Sequence, residues 1–299
     1  MNAYNNGIAV WQGAALQEYA QSKLTGIKKE RFLVRKLHQY MESPNDGKVC
    51  ALYGLWKTGK KTMMLQEIVK LAAYDKCLLV RCEEGCSMMQ LRKVIESYPN
   101  VQYIFIDEVT RLQNFIGAAG VLSEKYAAAG KKVVLTGTDS LGLYIASREE
   151  LYDRMHFIHT TNISYAEQHT LLGTCNAEYI LYGGTLSPDH PFYDVETTGV
   201  YVDIAIVNNI VHTLEKWNQG RNRGVLDGAF RRGDLPSSIY KVLECKQNPI
   251  PDDPGCAEAI RFWLYVLDVF RKKPDQTGAS AYCFMQPGLQ YRFAKIETK

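Results

Sequence analysis

The sequence predicts an α/β fold: a five-stranded parallel sheet with helices on both faces in a three-layer core, followed by a smaller, mainly helical domain. Three observations carry this reading. Between residues 48 and 160, short apolar runs alternate with segments of helical periodicity. Those apolar runs are continuous and do not alternate in and out, as strands covered by helices on both faces require. Beyond Gly173 the strand signals stop and helix-like segments take over, which places a boundary there.

Residues 1–27 read as an N-terminal extension, and residues 28–173 as the sheet domain. Over residues 28–41, Phe32, Leu33, Leu37 and Tyr40 share one helical face, and Ser43-Pro44-Asn45-Asp46-Gly47 reads as a turn. A strand over 48–53 then enters a glycine-containing loop and a helix over 62–73. The pattern repeats as strand 77–82, helix 87–98, strand 101–106, helix 115–129, strand 132–135, helix 141–151 and strand 155–160. Residues 174–299 form the second domain, with helices over 201–217, 236–246 and 257–272 separated by Gly, Pro and Asp clusters. A winged-helix-like arrangement is one form such a domain takes.

Composition narrows the function classes. With 299 residues, 46% of them hydrophobic, the chain can fill two cores. A formal net charge of +3 does not announce nucleic acid as the main partner, although it leaves room for a local basic patch. The first thirteen residues lack the basic start and unbroken apolar run of a secretory signal, so a cytoplasmic location is expected. The longest apolar stretch, 257–270, is interrupted by charges and falls short of the roughly 20 residues that span a bilayer. The eight cysteines show no regular pairing and read as reduced thiols. Cys82 and Cys86 lack a second ligand pair, so they do not make a zinc site.

The chemistry concentrates after the strands. Gly54-Leu55-Trp56-Lys57-Thr58-Gly59-Lys60 fits the first seven positions of the Walker A pattern, between an apolar strand and a helix. Such a loop turns backbone N–H groups inward around a phosphate, and the helix that follows adds the positive end of its dipole. Gly54, Lys57, Thr58, Gly59, Lys60, Lys61 and Thr62 are the candidate nucleotide-binding residues, with Lys60 reaching the outer phosphates of ATP. Position 61 departs from the pattern: a lysine stands where a Ser or Thr hydroxyl normally contacts Mg²⁺. The next hydroxyl, Thr62, points about 100° away around a helix unless the first turn is reset. Nucleotide binding therefore survives this change more easily than hydrolysis does.

Tyr103-Ile104-Phe105-Ile106-Asp107-Glu108 is an apolar strand ending in two carboxylates, the Walker B arrangement. Asp107, with Thr62, is the candidate Mg²⁺ ligand, and Glu108 the candidate base for an attacking water. Thr138, in the polar turn 136–140, is placed to touch the γ-phosphate or that water. Arg154 precedes the last strand, where a guanidinium could read the γ-phosphate or a neighbouring subunit; a structural pair with Asp153 or Glu150 competes with that role.

These residues resemble the prokaryotic AAA-type ATPases, in which a P-loop module is followed by a winged-helix region and often by a nuclease-like domain. The resemblance rests on the stretch from Leu52 to Thr62, on Ile104 to Glu108, Leu135-Thr136-Gly137-Thr138, Asp153-Arg154, Ile163-Ser164-Tyr165-Ala166-Glu167 and Tyr182-Gly183-Gly184. It implies an ATPase core using ATP and Mg²⁺ in the cytoplasm. In it Lys60 contacts phosphate, Asp107 binds metal, Glu108 acts as base, and Thr138 and Arg154 sense the γ-phosphate. That family carries a hydroxyl residue at the position of Lys61.

The C-terminal part matches poorly. Leu243-Glu244-Cys245-Lys246 imitates the Glu-x-Lys element of a nuclease, but Asp234 as N-cap, Pro236 in the first turn and Ile239, Val242 and Leu243 at helical spacing favour a helix. Arg221, Arg223, Arg231 and Arg232 form a basic stretch diluted by Asp227 and Asp234 and read as a solvated loop. The leading expectation is an Mg²⁺-dependent ATPase that moves its helical domain, alone or as a homo-oligomer or with a protein partner. The alternatives are a nucleotide-held switch with little or no hydrolysis, and a DNA-binding module of a mobile-element or defence system.

Overall fold

A computed structural model describes residues 3–5, 7–27, 29–186, 194–217, 224–244, 254–274 and 280–296. The chain divides into two compact units. The first comprises Met1–Tyr53 with Gly59–Thr160, and the second Gly54–Thr58 with Thr161–Lys299. The division after Thr160 precedes the boundary that the change of pattern suggested at Gly173.

The first unit opens with β1 (Ala3–Asn5), β2 (Ile8–Gln12), α1 (Gly13–Leu24) and α2 (Val34–Glu42). It continues with β3 (Val49–Tyr53), α3 (Lys60–Leu71), β4 (Cys77–Cys82), α4 (Met88–Glu96), β5 (Tyr103–Asp107) and the short α5 (Phe115–Ala118). A π-helical turn over Leu122–Ala127, then β6 (Lys132–Thr136), α6 (Ser140–Ala146) and β7 (Met155–His159) complete it. The sheet runs β1-β2-β4-β5-β6-β3-β7. The expected five strands are its parallel part, β4 to β7 in that order of neighbours. β3 and β6 are buried at every residue, which is why their sequences read as unbroken apolar runs.

The N-terminal extension turned out to belong to the sheet. β2 pairs antiparallel with β4, Val10 opposite Val80, and β1 covers β2 in turn. The two added strands make the sheet seven-stranded and cover the β4 edge. A five-residue run, Ile-Ala-Val-Trp-Gln, gives too little periodicity to separate a strand from an irregular segment, and only its partner β4 decides the matter. Trp11 of β2 stacks on Tyr19 of α1, with ring centroids 4.3 Å apart, and Leu16 and Ala20 of α1 are buried against α3 and the sheet.

Local signals fix several ends. Ser87 caps α4 in a reciprocal capping box with Gln90. The helix expected over 115–129 breaks after Ala118 into the π-helical turn, and that over 141–151 stops at Ala146.

The second unit carries α7 (Tyr165–Leu172), α8 (Asn176–Tyr182), α9 (Val195–Val202), a π-helical stretch over Asp203–Val207 and α10 (Asn208–Lys216). Next come α11 (Asp227–Arg232), α12 (Leu235–Glu244), α13 (Pro254–Val266), an antiparallel hairpin of β8 (Phe270–Pro274) and β9 (Ser280–Phe284), and α14 (Pro287–Ile296). Among its described residues the unit is thus helical with one hairpin. The helix expected over 257–272 ends at Val266 because Asp268 adopts a left-handed backbone conformation, φ 61°, which no α-helix continues through. α12 reaches Glu244, the end the helix signals favoured over a nuclease strand; Cys245 and Lys246 lie outside the described residues. Among the described residues no helix is long and apolar enough to cross a membrane.

Candidate functional site

The register of the sheet assembles the candidate residues of the first unit. β6 lies between β5 and β3, with Ile106 opposite Leu135 and Thr136 opposite Leu52. The segments that leave the carboxyl ends of these three strands therefore start side by side, in the crevice where open α/β sheets bind ligands. They deliver the head of α3, the pair Asp107-Glu108, and the turn Thr138-Asp139.

Lys60 opens α3 behind Gly59, whose left-handed backbone, φ 83°, starts the helix at this point. The Gly59 carbonyl accepts from Met63 N–H at 2.9 Å, so the first turn is regular. The Lys60 side chain is only 8% exposed. Burial pushes its ammonium down to about 8, opposed by the negative field of Glu108, Asp107 and Asp139. A buried cation at a helix N-terminus is an anion-receiving arrangement; the three acids nearby stabilise the ammonium and oppose a second anion.

The loop segment Gly54–Thr58 belongs to the second unit and is braced internally. Thr58 donates through N–H (3.4 Å) and hydroxyl (2.7 Å) to the Leu55 carbonyl, so its hydroxyl serves the loop. Lys57 adopts a left-handed conformation, φ 61°, and its ammonium stands 4.6 Å from the Trp56 ring centre. Outward carbonyls are taken up within this unit: Trp56 accepts from the Tyr201 hydroxyl at 3.3 Å and Lys57 from Leu186 N–H at 2.7 Å.

Glu108 follows β5 in a left-handed conformation, φ 57°, which turns its carboxylate toward the end of β6. There it accepts from Thr138 N–H at 2.9 Å and from the Thr138 hydroxyl at 2.8 Å. Arg111 Nε lies 3.8 Å from the same carboxylate. The expected base and the expected γ-phosphate sensor are thus bonded to each other.

Asp107 is almost fully buried and ion-paired: Lys61 Nζ stands 2.9 Å from its Oδ2. Burial raises the Asp107 carboxyl above its ordinary value, and the Lys61 ammonium opposes that rise. On the other side of the pair, Lys61 stands 5.6 Å from the Tyr19 ring centre and hydrogen-bonds the Tyr19 side chain. Although burial works against its charge, Asp107 and Tyr19 together hold the Lys61 ammonium above its usual range.

Magnesium fits these residues poorly. A hard dication seeks oxygen ligands, and the position that supplies the hydroxyl carries an ammonium already seated on the carboxylate. Thr62 does not restore the ligand as expected. α3 runs regularly from Lys60, so Thr62 is turned about 100° from position 61.

Arg154 corrects a second expectation. It precedes β7, whose first residue Met155 lies opposite Val49, and its carbonyl accepts from Val49 N–H at 3.0 Å. That is the amino end of the parallel strands, the end opposite to the one where Asp107 and Glu108 follow β5. Its guanidinium pairs with Glu124, not with Asp153 or Glu150. Within the first unit Arg154 is therefore placed at the opposite strand end from Asp107 and Glu108, not beside them as expected. Asp153 pairs with Lys48 at 2.8 Å.

Tyr19, Asp139 and Arg111 were not singled out from sequence. Tyr19 comes from the extension read without elements, and no local signal ties it to Lys61. Asp139 was visible in the turn after β6, yet its place beside Lys60 follows only from the order of strands.

Residues 46–169 match a family model described as an AAA domain. No curated protein matches the chain. The chain is similar to the Thermotoga maritima RuvB Holliday junction branch migration motor, at 14% identity and a TM-score of 0.40, covering 96% of this chain and 95% of that one. It is similar to Aeropyrum pernix ORC1 in complex with DNA at 12% identity and a TM-score of 0.36, over 93% and 96% of the two chains. Hsp104, in its closed state with ATPγS and casein, gives 12% identity and a TM-score of 0.45 over 86% of this chain, which spans about half (53%) of that longer chain. The family match covers residues 46–169, less than half of the chain, and over that stretch the chain is similar to an AAA domain.

Proposed function

We propose that the protein is an ATP-binding AAA-type switch: the loop and Lys60 hold the phosphates, and the nucleotide state is passed to the helical unit with little or no turnover. One observation carries this reading, the buried Lys60 amine at the first residue of α3, directly after the left-handed Gly59. Passing on the state is supported by the loop carbonyls of Trp56 and Lys57, which bond to Tyr201 and Leu186. The pairing of Lys61 with Asp107 supports slow turnover, because it occupies the carboxylate that hydrolysis would need for a metal.

The experiment measures bound nucleotide and phosphate release together, on wild type, Lys60→Ala and Glu108→Gln. Binding that disappears in Lys60→Ala, with no release above background, is the expected result. Wild-type turnover abolished by Glu108→Gln would instead select an ATPase, a reading favoured by the place of Glu108 at the end of β5 beside Thr138.

The element order α11, α12, α13 and the hairpin β8–β9 supports a winged-helix-like reading of this region. It does not favour DNA. Arg231 pairs with Asp227 and Arg232 with Asp234, both at 2.6 Å, and α13 exposes Phe262 and Tyr265. Arg221 and Arg223 lie outside the described residues.

A further inference from the structure

The Lys61 ammonium occupies a built position. Its carboxylate partner, Asp107, is 4% exposed at the end of a central strand, with Oδ2 at 2.9 Å. Its second contact, Tyr19, is held by the stack on Trp11, and Trp11 is fixed by the pairing of β2 with β4. Three separate chain segments, the N-terminal helix, the head of α3 and the end of β5, therefore converge on one cation. A lysine that merely tolerated its place would extend from the helix into solvent, where an ammonium is best hydrated. This one exchanges part of its hydration for an anion and an aromatic face, two environments that stabilise a cation.

The position matters as much as the pairing. Residue 61 and Asp107 are the two places from which a P-loop protein approaches the ion that bridges the outer phosphates. Here one of those places carries the positive charge covalently and the other holds it.

We propose that Lys61, seated on Asp107 and Tyr19, is a tethered cation that takes the place of Mg²⁺, so that the site binds the phosphates of ATP without a divalent ion. The inference rests on the nucleotide-binding reading above and adds to it the charge composition of the occupied site. Lys60 and Lys61 together face the phosphate oxygens, and Asp107 restrains Lys61 instead of a hydrated metal. Free ATP, not its magnesium complex, is then the species recognised. With a hydroxyl at position 61, Asp107 is released for a metal and dependence on the divalent ion returns.

The test is equilibrium binding of ATP by the full chain, followed by titration calorimetry in excess EDTA and in millimolar Mg²⁺, on wild type, Lys61→Thr and Lys61→Ser. Wild type is expected to bind in EDTA at least as tightly as in Mg²⁺, while the two hydroxyl variants bind at least tenfold tighter when Mg²⁺ is present. Wild-type binding that strengthens tenfold or more with Mg²⁺ overturns the proposal and leaves the nucleotide-binding reading intact. Failure of wild type to bind in either condition removes that reading, and the proposal with it. A readout independent of nucleotide comes from a double-mutant cycle of Lys61→Met and Asp107→Asn in denaturant unfolding, where the absence of coupling between the two positions would also overturn it.

Discussion

Thr138 gives both its backbone N–H and its hydroxyl to the carboxylate of Glu108, at 2.9 and 2.8 Å. The residue expected to polarise a water is thereby held by the residue expected to sense phosphate. Thr138→Val removes the hydroxyl and leaves the N–H, so one of two bonds to a partly shielded carboxylate is lost. Denaturant unfolding of that variant is expected to show a loss of about 1 kcal/mol, and an unchanged midpoint would show that the bond contributes nothing in solution.

Lys60 gives the pH dependence. Its pKa is pushed down to about 8 in the fold, against 10.5 for a free lysine. Between these values the unfolded chain binds more protons than the native one, so this residue's contribution to stability rises with pH and is lowest below about 8. Replacement by an apolar side chain of similar length removes the burial of charge. Lys60→Met is expected to be more stable than wild type at pH 7, by up to about 3 kcal/mol, with the difference shrinking toward pH 10. Unfolding curves at pH 7, 9 and 10 check this, and the same variant should have lost nucleotide binding.

The two halves of the Lys61 and Asp107 pair are not equivalent. Asp107 is buried, whereas the Lys61 side chain is 36% exposed and can turn to water when its partner is lost. Lys61→Met strands a buried carboxylate and is expected to destabilise by about 3 kcal/mol. Asp107→Asn frees an ammonium that water can reach, with an expected loss of about 1 kcal/mol. Equal losses in the two variants would contradict the burial of Asp107.

In the second unit, the Tyr201 hydroxyl joins the Gln286 amide to the carbonyl of Trp56. Both side chains are buried, so Tyr201→Phe leaves the Gln286 amide without this acceptor in a place that water does not reach. The expected cost is about 2 kcal/mol. Hydrogen exchange followed by mass spectrometry should show faster exchange across residues 54–58, and unchanged protection there would separate Tyr201 from the loop.

Much of the candidate site is legible in the sequence because its parts are local. Gly54 to Lys60 lie within one turn of chain, and Asp107 with Glu108 end an apolar run, so neither motif needs a distant partner to be recognised. The parallel strands were legible for the same reason: burial on both faces demands unbroken apolar residues, which survive as a pattern in β3 and β6.

Only the tertiary structure decided what depends on strand order and on pairing across the chain. Ile8–Gln12 is a strand because β4 offers an antiparallel edge, and that pairing places Trp11 and Tyr19 where Tyr19 meets Lys61. Arg154 was plausible beside the phosphates until the register put it at the amino end of β7. The sequence by itself determined which residues can do phosphate chemistry, since that is set by side-chain type and local spacing. Which of them meet was decided by the fold, because a contact between residues as distant as Tyr19 and Lys61 depends on the path of the chain between them.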